Sequence, residues 1–415
     1  MPLLRNWRKK PVTKNSEKRV PTLRFKGFTN DWEQRKLGTA IKIIKDKNKN
    51  QHSYRAFSIS NIKGFIAQDE QFGKDNTYSK TDKSTNYIVK PGMFAYNPAR
   101  INVGSIAYQN QTEPVLVSSL YEIFQTNSKI DDSFLMNWFK TSLFNRQIKR
   151  LEEGGVRQYF FIDKMKETEI KLPSISEQNQ ISKLLQLVNK NLDLQQRKLE
   201  LLKASKKAVL QNIFTDTKRV PTIRFNTFSE NWNQKRLKPF LIKYNKKATV
   251  NNQYPVLTSS RQGLFFQKDY YDGNQIASKN NIGYNIVPRN YFTYRHMSDD
   301  LIFHFNINTI CDYGIVSTLY PVFTTTSEID SQWLLYYLNH SVDIKKYALL
   351  QKQGGSRTYM YFSKLESLKA HIPALAEQKK ISSLIFKIDE QIYFQQKKLK
   401  YLQKSKRFLL QNMFI

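Results

Sequence analysis

The amino-acid sequence predicts a mixed α/β protein. Two globular domains are separated by two long α-helices that form an antiparallel intramolecular coiled coil, in a pseudo-two-fold internal repeat. Two observations lead there. The chain repeats itself at a fixed offset of 200 residues, and each half closes on a sustained heptad pattern. The 415 residues also carry a formal net charge of +33, from 67 Lys and Arg against 34 Asp and Glu. A charge that size is not a fold signal; it predicts association with a polyanion, either nucleic acid or an acidic membrane surface.

Composition narrows the classes. At ~100–200 residues per domain the length allows roughly two to four domains. A hydrophobic fraction of 40% and an aromatic fraction of 13% can build packed cores, which argues against global disorder. With 14 Gly and 13 Pro, collagen-like and low-complexity readings fail. The single cysteine, Cys311, cannot make an internal disulfide framework or a Cys-based zinc site, and it reads as a small core residue rather than a catalytic thiol. Residues 1–17 form a basic tail without an apolar core of signal-peptide length. No apolar run approaches the ~18–20 residues that span a bilayer. The expectation is a soluble, cytoplasmic chain with no membrane partner.

The repeat organises everything else. Lys18 to Phe25 (KRVPTLRF) recurs as Lys218 to Phe225 (KRVPTIRF), and the match runs on through Phe28/Phe228, Trp32/Trp232, Gln34/Gln234 and Leu37/Leu237. Over 18–37 against 218–237, 11 of 20 residues are identical. Gly154, Gly155, Arg157 and Tyr159 return as Gly354, Gly355, Arg357 and Tyr359, and Pro173, Glu177 and Gln178 as Pro373, Glu377 and Gln378. Between 38 and 153 the match to 238–353 is thin and slips register, leaving islands: Val89 to Tyr96 against Val287 to Tyr294, Ser118 to Tyr121 against Ser317 to Tyr320, and Ile130-Asp131 against Ile329-Asp330. A shared frame with diverged centres is what two copies of one scaffold reading two targets would look like. Neutral drift of loops gives the same pattern. The N-terminal block of each half reads as structural, its aromatics tying the domain start to the helix base.

After Pro173 the pattern turns helical. Ile181, Leu185, Val188, Leu192, Gln195, Leu199, Leu202, Lys206, Val209 and Ile213 alternate by four and three, and so do Ile381, Ile385, Ile388, Ile392, Gln395, Leu399, Leu402, Lys406, Leu409 and Met413. This is a heptad seam sustained over more than four heptads without Gly or Pro, which favours a coiled coil over ordinary core packing. Ser174 with Glu177 reads as a capping box; Ala374 weakens the second cap. Each helix covers about 40 residues, ~60 Å. Two similar units related by a two-fold axis place their helices head to tail, which would bring Gln195 and Gln395 close together as a register-fixing polar layer. The expected boundaries are 18–172 for the first domain, 173–214 for its helix, 215–372 for the second domain and 373–415 for its helix.

Enzyme signatures are mostly missing. There is no GxxxxGK[ST] loop, HExxH or GxSxG. The five histidines (His52, His296, His304, His340, His371) have no spacing suited to a metal, so no metal site is expected. Asn97 to Ala99 lacks the second proline and the aromatic of the amino-methyltransferase motif, and no Gly-rich methyl-donor loop precedes it. Glu169-Ile170-Lys171 imitates a nuclease Glu-x-Lys by chance. No catalytic residue is expected. The DNA-type signals are better. Asn97 and Arg100, and Arg295 and His296, each follow an aromatic strand, and a strand that ends on Asn, Arg or His suits base-edge contact: Arg to guanine, Asn to adenine. A solvated loop is an equal reading for any one of them. Gly154, Gly155, Arg157 and Tyr159, and Gly354, Gly355, Arg357 and Tyr359, are sharper. A Gly pair permits close backbone approach, and the Arg and Tyr that follow can hold a phosphate or stack. A tight turn into the last strand would explain the same residues. Lys63, Lys74, Lys80, Lys83, Lys268 and Lys279 are generic phosphate candidates.

The chain resembles the specificity subunit of type I restriction-modification systems. The residues carrying the resemblance are Val20 to Phe25 with Trp32 and Leu37, Pro91 to Tyr96, the Gly154-Gly155 block, and Leu172 to Gln178 entering a long helix. All recur, some in part, in the second half, so the resemblance covers nearly the whole chain. It implies that 18–172 and 215–372 are target recognition domains, each reading one half of a gapped, bipartite site on double-stranded DNA. The helices would act as spacer and as a dock for modification subunits, two of them, that methylate adenine. Restriction subunits (an ATP-dependent translocase and nuclease) would join for cleavage. It implies no cofactor in this chain, with S-adenosylmethionine on the partner modification subunit. Two departures stand out: only the 1–17 tail precedes the first domain, and Arg289-Asn290 replaces Pro91-Gly92. A basic coiled-coil adaptor binding RNA or ribosomes without sequence readout explains charge and helices equally well. It does not explain diverged centres in a shared frame.

Overall fold

The structure, a computed structural model, describes residues 8–9, 20–72, 83–151, 159–214, 220–273, 280–352 and 357–415. The chain forms two compact units, one holding 1–196 with 397–415 and the other holding 197–396, so each owns half of each long helix.

In the first unit the aromatic and β-branched runs form a four-stranded antiparallel sheet. Its order is Ile41–Ile44, Glu122–Thr126, Phe94–Tyr96, Ile106–Tyr108. Two-stranded ladders surround it: Phe57–Ser60 with Gly64–Ala67, Tyr87–Val89 with Val115–Val117, and Glu33–Lys36 with Glu169–Leu172. Phe94 and Phe124 stack across the central pair with ring centroids 4.9 Å apart. The second unit repeats this plan with Leu241–Lys243, Val322–Thr325, Phe292–Tyr294 and Phe305–Ile307. There Phe292 and Phe323 stack at 4.7 Å. The scaffold is thus kept even where the sequence match slips, because a cross-strand aromatic pair constrains the sheet while its loops stay free.

Helices Asp132–Trp138 and Ser331–His340 start on equivalent caps. Asp131 Oδ1 accepts the Phe134 N–H and Asp330 Oδ1 the Trp333 N–H, both at 2.7 Å. The long helices, Ile175–Phe214 and Leu375–Asn412, begin just past their prolines. Ser174 Oγ accepts the Glu177 N–H at 3.4 Å, and in the second copy the Ala374 carbonyl takes the Glu377 N–H at 2.9 Å. The capping box is not reciprocal, since the carboxylate that would close it is taken elsewhere. Arg24 Nε and Nη2 both donate to Glu177 at 2.7 Å, with Glu177 only 1% exposed. Arg224 holds Glu377 the same way at 2.7 and 2.8 Å. Next to it, the Gln178 side chain accepts the Asp131 N–H at 2.8 Å and donates to the Pro173 carbonyl at 3.0 Å, and Gln378 repeats this on Asp330 and Pro373. The N-terminal block is therefore structural, but its key residue is the arginine, while Leu23, Trp32 and Leu37 belong to the hydrophobic core of the same unit.

Every seam position of the two heptad patterns is buried or half-buried. In the first unit Ile181 and Leu185 share a core with Leu409, Met413 and Phe414, and the Phe414 ring lies 5.0 Å from Phe134. In the second, Ile213 and Phe214 share a core with Ile381 and Ile385. Both cores join the end of one long helix to the start of the other, which is the antiparallel arrangement. Gln395 is buried, and Gln195 donates to Asn191 of its own helix at 3.1 Å.

Arg24→Ala leaves Glu177 charged, buried and unpaired. The expected cost is about 3 kcal/mol in urea unfolding, and the double variant Arg24→Met/Glu177→Met should cost less than either single change.

Candidate nucleic-acid interface

In each unit the strand at Phe94–Tyr96 or Phe292–Tyr294 ends in a turn that presents a cation. In the first unit Asn97 follows strand Phe94–Tyr96, and its Oδ1 accepts the Ala99 N–H at 2.9 Å. The Arg100 N–H bonds the Asn97 carbonyl at 3.0 Å, and the Arg100 carbonyl takes the Ser105 N–H at 3.1 Å. Gly104 closes the turn at φ +90°, a conformation that glycine adopts without strain. Buried Ile101 anchors it to the core. Asn97 is thus half-buried and partly used by its own turn. Arg100 is exposed, and its guanidinium makes no hydrogen bond or ion pair among the described residues. In the second unit Arg295 is likewise exposed and without such a partner among the described residues. His296 is different. It is buried, its ring Nδ1 lies against the Leu319 carbonyl, and its backbone N–H bonds that same carbonyl at 3.3 Å. His296 therefore holds the turn rather than presenting itself to solvent.

The structure brings this turn to the segment that follows the glycine pair. The Phe160 N–H donates to the Pro98 carbonyl at 3.0 Å, and the Met360 N–H to the His296 carbonyl at 2.7 Å. Residues 154, 155 and 157, and residues 354 and 355, which include both glycine pairs and Arg157, lie outside the described residues. The aromatics beyond them are placed. Tyr159 stacks on Phe161 at 5.4 Å, and Tyr359 on Tyr361 at 5.7 Å, with the His296 ring 5.0 Å from Tyr361. Arg357 Nε donates to Asp299 at 3.0 Å, both exposed. Buried Tyr294 donates its hydroxyl to the Met360 carbonyl at 2.9 Å, and burial pushes its phenol well above the usual tyrosine range.

One part of this edge was missed in the sequence. Hairpin tips reach it in both units. A Cβ placed on Gly104 would lie 3.6 Å from Asn61, so the Ser60–Gly64 tip abuts the Arg100 turn. In the second unit Arg261, at the matching tip, grips both Asp300 oxygens at 2.6 and 2.7 Å. That guanidinium, with the Ser298 hydroxyl, holds Asp300 down to about 2. The available signal was a Ser-x-x-Gly turn between two apolar runs at Ser260 to Gly263.

The edge offers exposed arginines, stacked aromatics and turn backbone, which suit phosphate and base edges. Among the described residues no group of three His, Cys, Asp or Glu could hold a metal. Likewise no described helix is long and apolar enough to cross a membrane. Cys311, half-buried, has its thiol raised by burial and donates to Asn308 Oδ1 at 3.6 Å.

Comparison with known proteins is consistent along the chain. A sequence model of the type I restriction modification DNA specificity domain matches residues 29–204. Two curated proteins of Methanocaldococcus jannaschii are each 22% identical to it. One is a putative type I restriction enzyme MjaX specificity subunit, covering 92% of both chains. The other is the type I restriction enzyme MjaVIII specificity subunit, covering 92% of this chain and 91% of its own. The fold is shared with a crystal structure of a type I restriction-modification S subunit from M. genitalium, at TM-score 0.54 and 13% identity over 95% of this chain and 99% of that one. Residues 29–204 are thus similar to the type I restriction modification DNA specificity domain. Over 92% of its length the chain is similar to those two type I specificity subunits.

Because their guanidinium groups are exposed and unpaired among the described residues, Arg100→Ala and Arg295→Ala should leave urea unfolding within about 0.5 kcal/mol of the parent. Tyr294→Phe, which strips a buried carbonyl of its donor, should cost about 1 kcal/mol in the same assay.

Proposed function

We propose that this relative of type I specificity subunits reads an interrupted DNA site, each unit taking one half. One observation carries the reading. The same edge is built twice, by the same hydrogen bonds between strand end and post-glycine segment, yet it bears different side chains: Asn97, Arg100 and Phe161 on one, Arg295 and Tyr361 on the other. Equal frames with unequal edges suit an asymmetric target. Electrostatics supply much of the affinity, with log K falling against log salt at a slope of about 0.9 per phosphate neutralised. The chain itself carries no chemistry on this reading; adenine methylation, with its S-adenosylmethionine, belongs to modification subunits, and cleavage to restriction subunits.

The long helices support docking. Leu187, Leu194 and Leu201 stand exposed seven residues apart on the central helix. Phe386, Tyr393, Tyr401 and Phe408 stand exposed at steps of seven or eight on the last. Besides the seam, each helix therefore carries a second heptad-spaced apolar stripe, which suits a further helix. Two similar helices make two modification subunits the natural stoichiometry.

Selection on random DNA tests the first reading. The parent should return one gapped, two-part motif, and Arg100→Ala or Arg295→Ala should relax it in one half only. Unchanged motifs from both variants would sink the assignment of the edges. For docking, Leu194→Ser/Leu201→Ser should abolish co-purification of a methyltransferase subunit while urea unfolding stays as in the parent; retained co-purification counts against the stripe.

A further inference from the structure

Exposed apolar side chains recur at equivalent places on the two edges. Val103, Leu120 and Phe161 are exposed around Arg100, and Ile302, Leu319 and Tyr361 around Arg295. The leucines stand out, at 77% and 42% exposed. They belong to Ser118 to Tyr121 and Ser317 to Tyr320, an island of likeness inside otherwise diverged centres. Both turns are built alike. The Ser118 and Ser317 hydroxyls accept the leucine N–H at 3.3 and 3.5 Å, and their carbonyls take the N–H of Tyr121 and Tyr320 at 3.0 Å. Both lie beside the arginine-bearing strand end. Leu120 leads into Glu122, which pairs opposite Tyr96, and the Leu319 carbonyl bonds the His296 N–H.

A single exposed leucine is ordinary. A turn that presents one at the same place in both copies, while the surrounding loops differ, is not. The neighbouring arginines have no hydrogen bond or ion pair among the described residues, so this edge awaits an acceptor-rich ligand. A leucine there gains only where that ligand also has apolar surface. Phosphates have none. In the major groove of DNA the one apolar group is the C5-methyl of thymine, and it lies beside the acceptor edges that arginine reads.

We propose that Leu120 and Leu319 each pack against a thymine C5-methyl group, next to the base held by Arg100 or Arg295. The inference rests on the edges being the DNA-reading surfaces.

The test uses the full-length chain and its selected motif, with each thymine replaced in turn by deoxyuridine, which lacks only the methyl. The parent should lose about three- to five-fold in affinity at one position per half-site, the worth of one buried methyl group. Leu120→Ala should lose a similar factor on thymine DNA and be indifferent to deoxyuridine at that position. Leu319→Ala should behave likewise in the other half. Both variants should unfold like the parent, since the side chains are exposed. Deoxyuridine tolerated everywhere overturns the proposal. So does a deoxyuridine loss that persists undiminished in the leucine variants. Leucine variants that read DNA normally but lose a co-purifying protein would assign these turns to that protein instead. If Arg100→Ala still relaxes the motif under any of these outcomes, only the leucine contact falls. If the parent selects no motif, the reading of the edges falls with it.

Discussion

Glu177 and Glu377 are carboxylates with almost no exposure to water, each held by one arginine 153 residues away in the chain. Everything else in a unit depends on that contact. A buried ion pair adds little net stability over an apolar substitute, but it tolerates no slippage, because either partner left alone is a bare charge in a poor solvent. The arginine sits at the start of the globular domain and the glutamate in the first turn of the long helix. The fork of two parallel hydrogen bonds therefore fixes both the position and the rotation of the helix against the domain. The adjoining glutamine extends the lock, since its amide ties the Asp131 or Asp330 cap to the proline before the helix.

With the helix start fixed, the sheet needs little more. One stacked phenylalanine pair spans its centre in each unit, at 4.9 and 4.7 Å. The last strand pairs with the strand just after the N-terminal block, Glu169–Leu172 on Glu33–Lys36 and Lys369–Ile372 on Asn233–Arg236. Both ends of the domain are thereby clamped at the helix base, and the turns at the far strand ends carry no such duty. That division lets Asn97-Pro98-Ala99-Arg100 and Arg295-His296 differ while the hydrogen bonds from Phe160 and Met360 persist.

Legibility in the sequence follows the range of the interactions. The heptad seam is local, and each residue placed on it is buried or half-buried. The helix starts are also local, and the long helices begin at Ile175 and Leu375, just past their prolines. Arg24 was inside a recognised block, yet its role was invisible because its partner lies far along the chain; only the equal spacing of Arg24–Glu177 and Arg224–Glu377 carried a trace of it. His296 illustrates the same point. Its type suggested a reader of bases, but the Leu319 loop that buries it comes from another strand. Arg100 and Arg295 could be picked out from the strand endings, whereas the hairpin tips with Arg261 needed the sheet to bring them to the edge.

Two cations of the second edge are held by carboxylates. In the second unit Arg261 lies on Asp300 and Arg357 on Asp299. Exposed pairs of this kind contribute about 0–1 kcal/mol to stability, so folding alone gives little reason for them. Their effect is on the guanidinium. A carboxylate beside it fixes the direction of the fork and adds a negative charge where a phosphate would otherwise settle. An approaching polyanion must then displace or accommodate that carboxylate, which a matching base-edge acceptor does at lower cost than a bare backbone. Like-charge placement of this sort weakens all ligands and weakens the wrong ones most. Arg100 and Arg295 have no such carboxylate among the described residues, so each edge keeps one arginine without that filter.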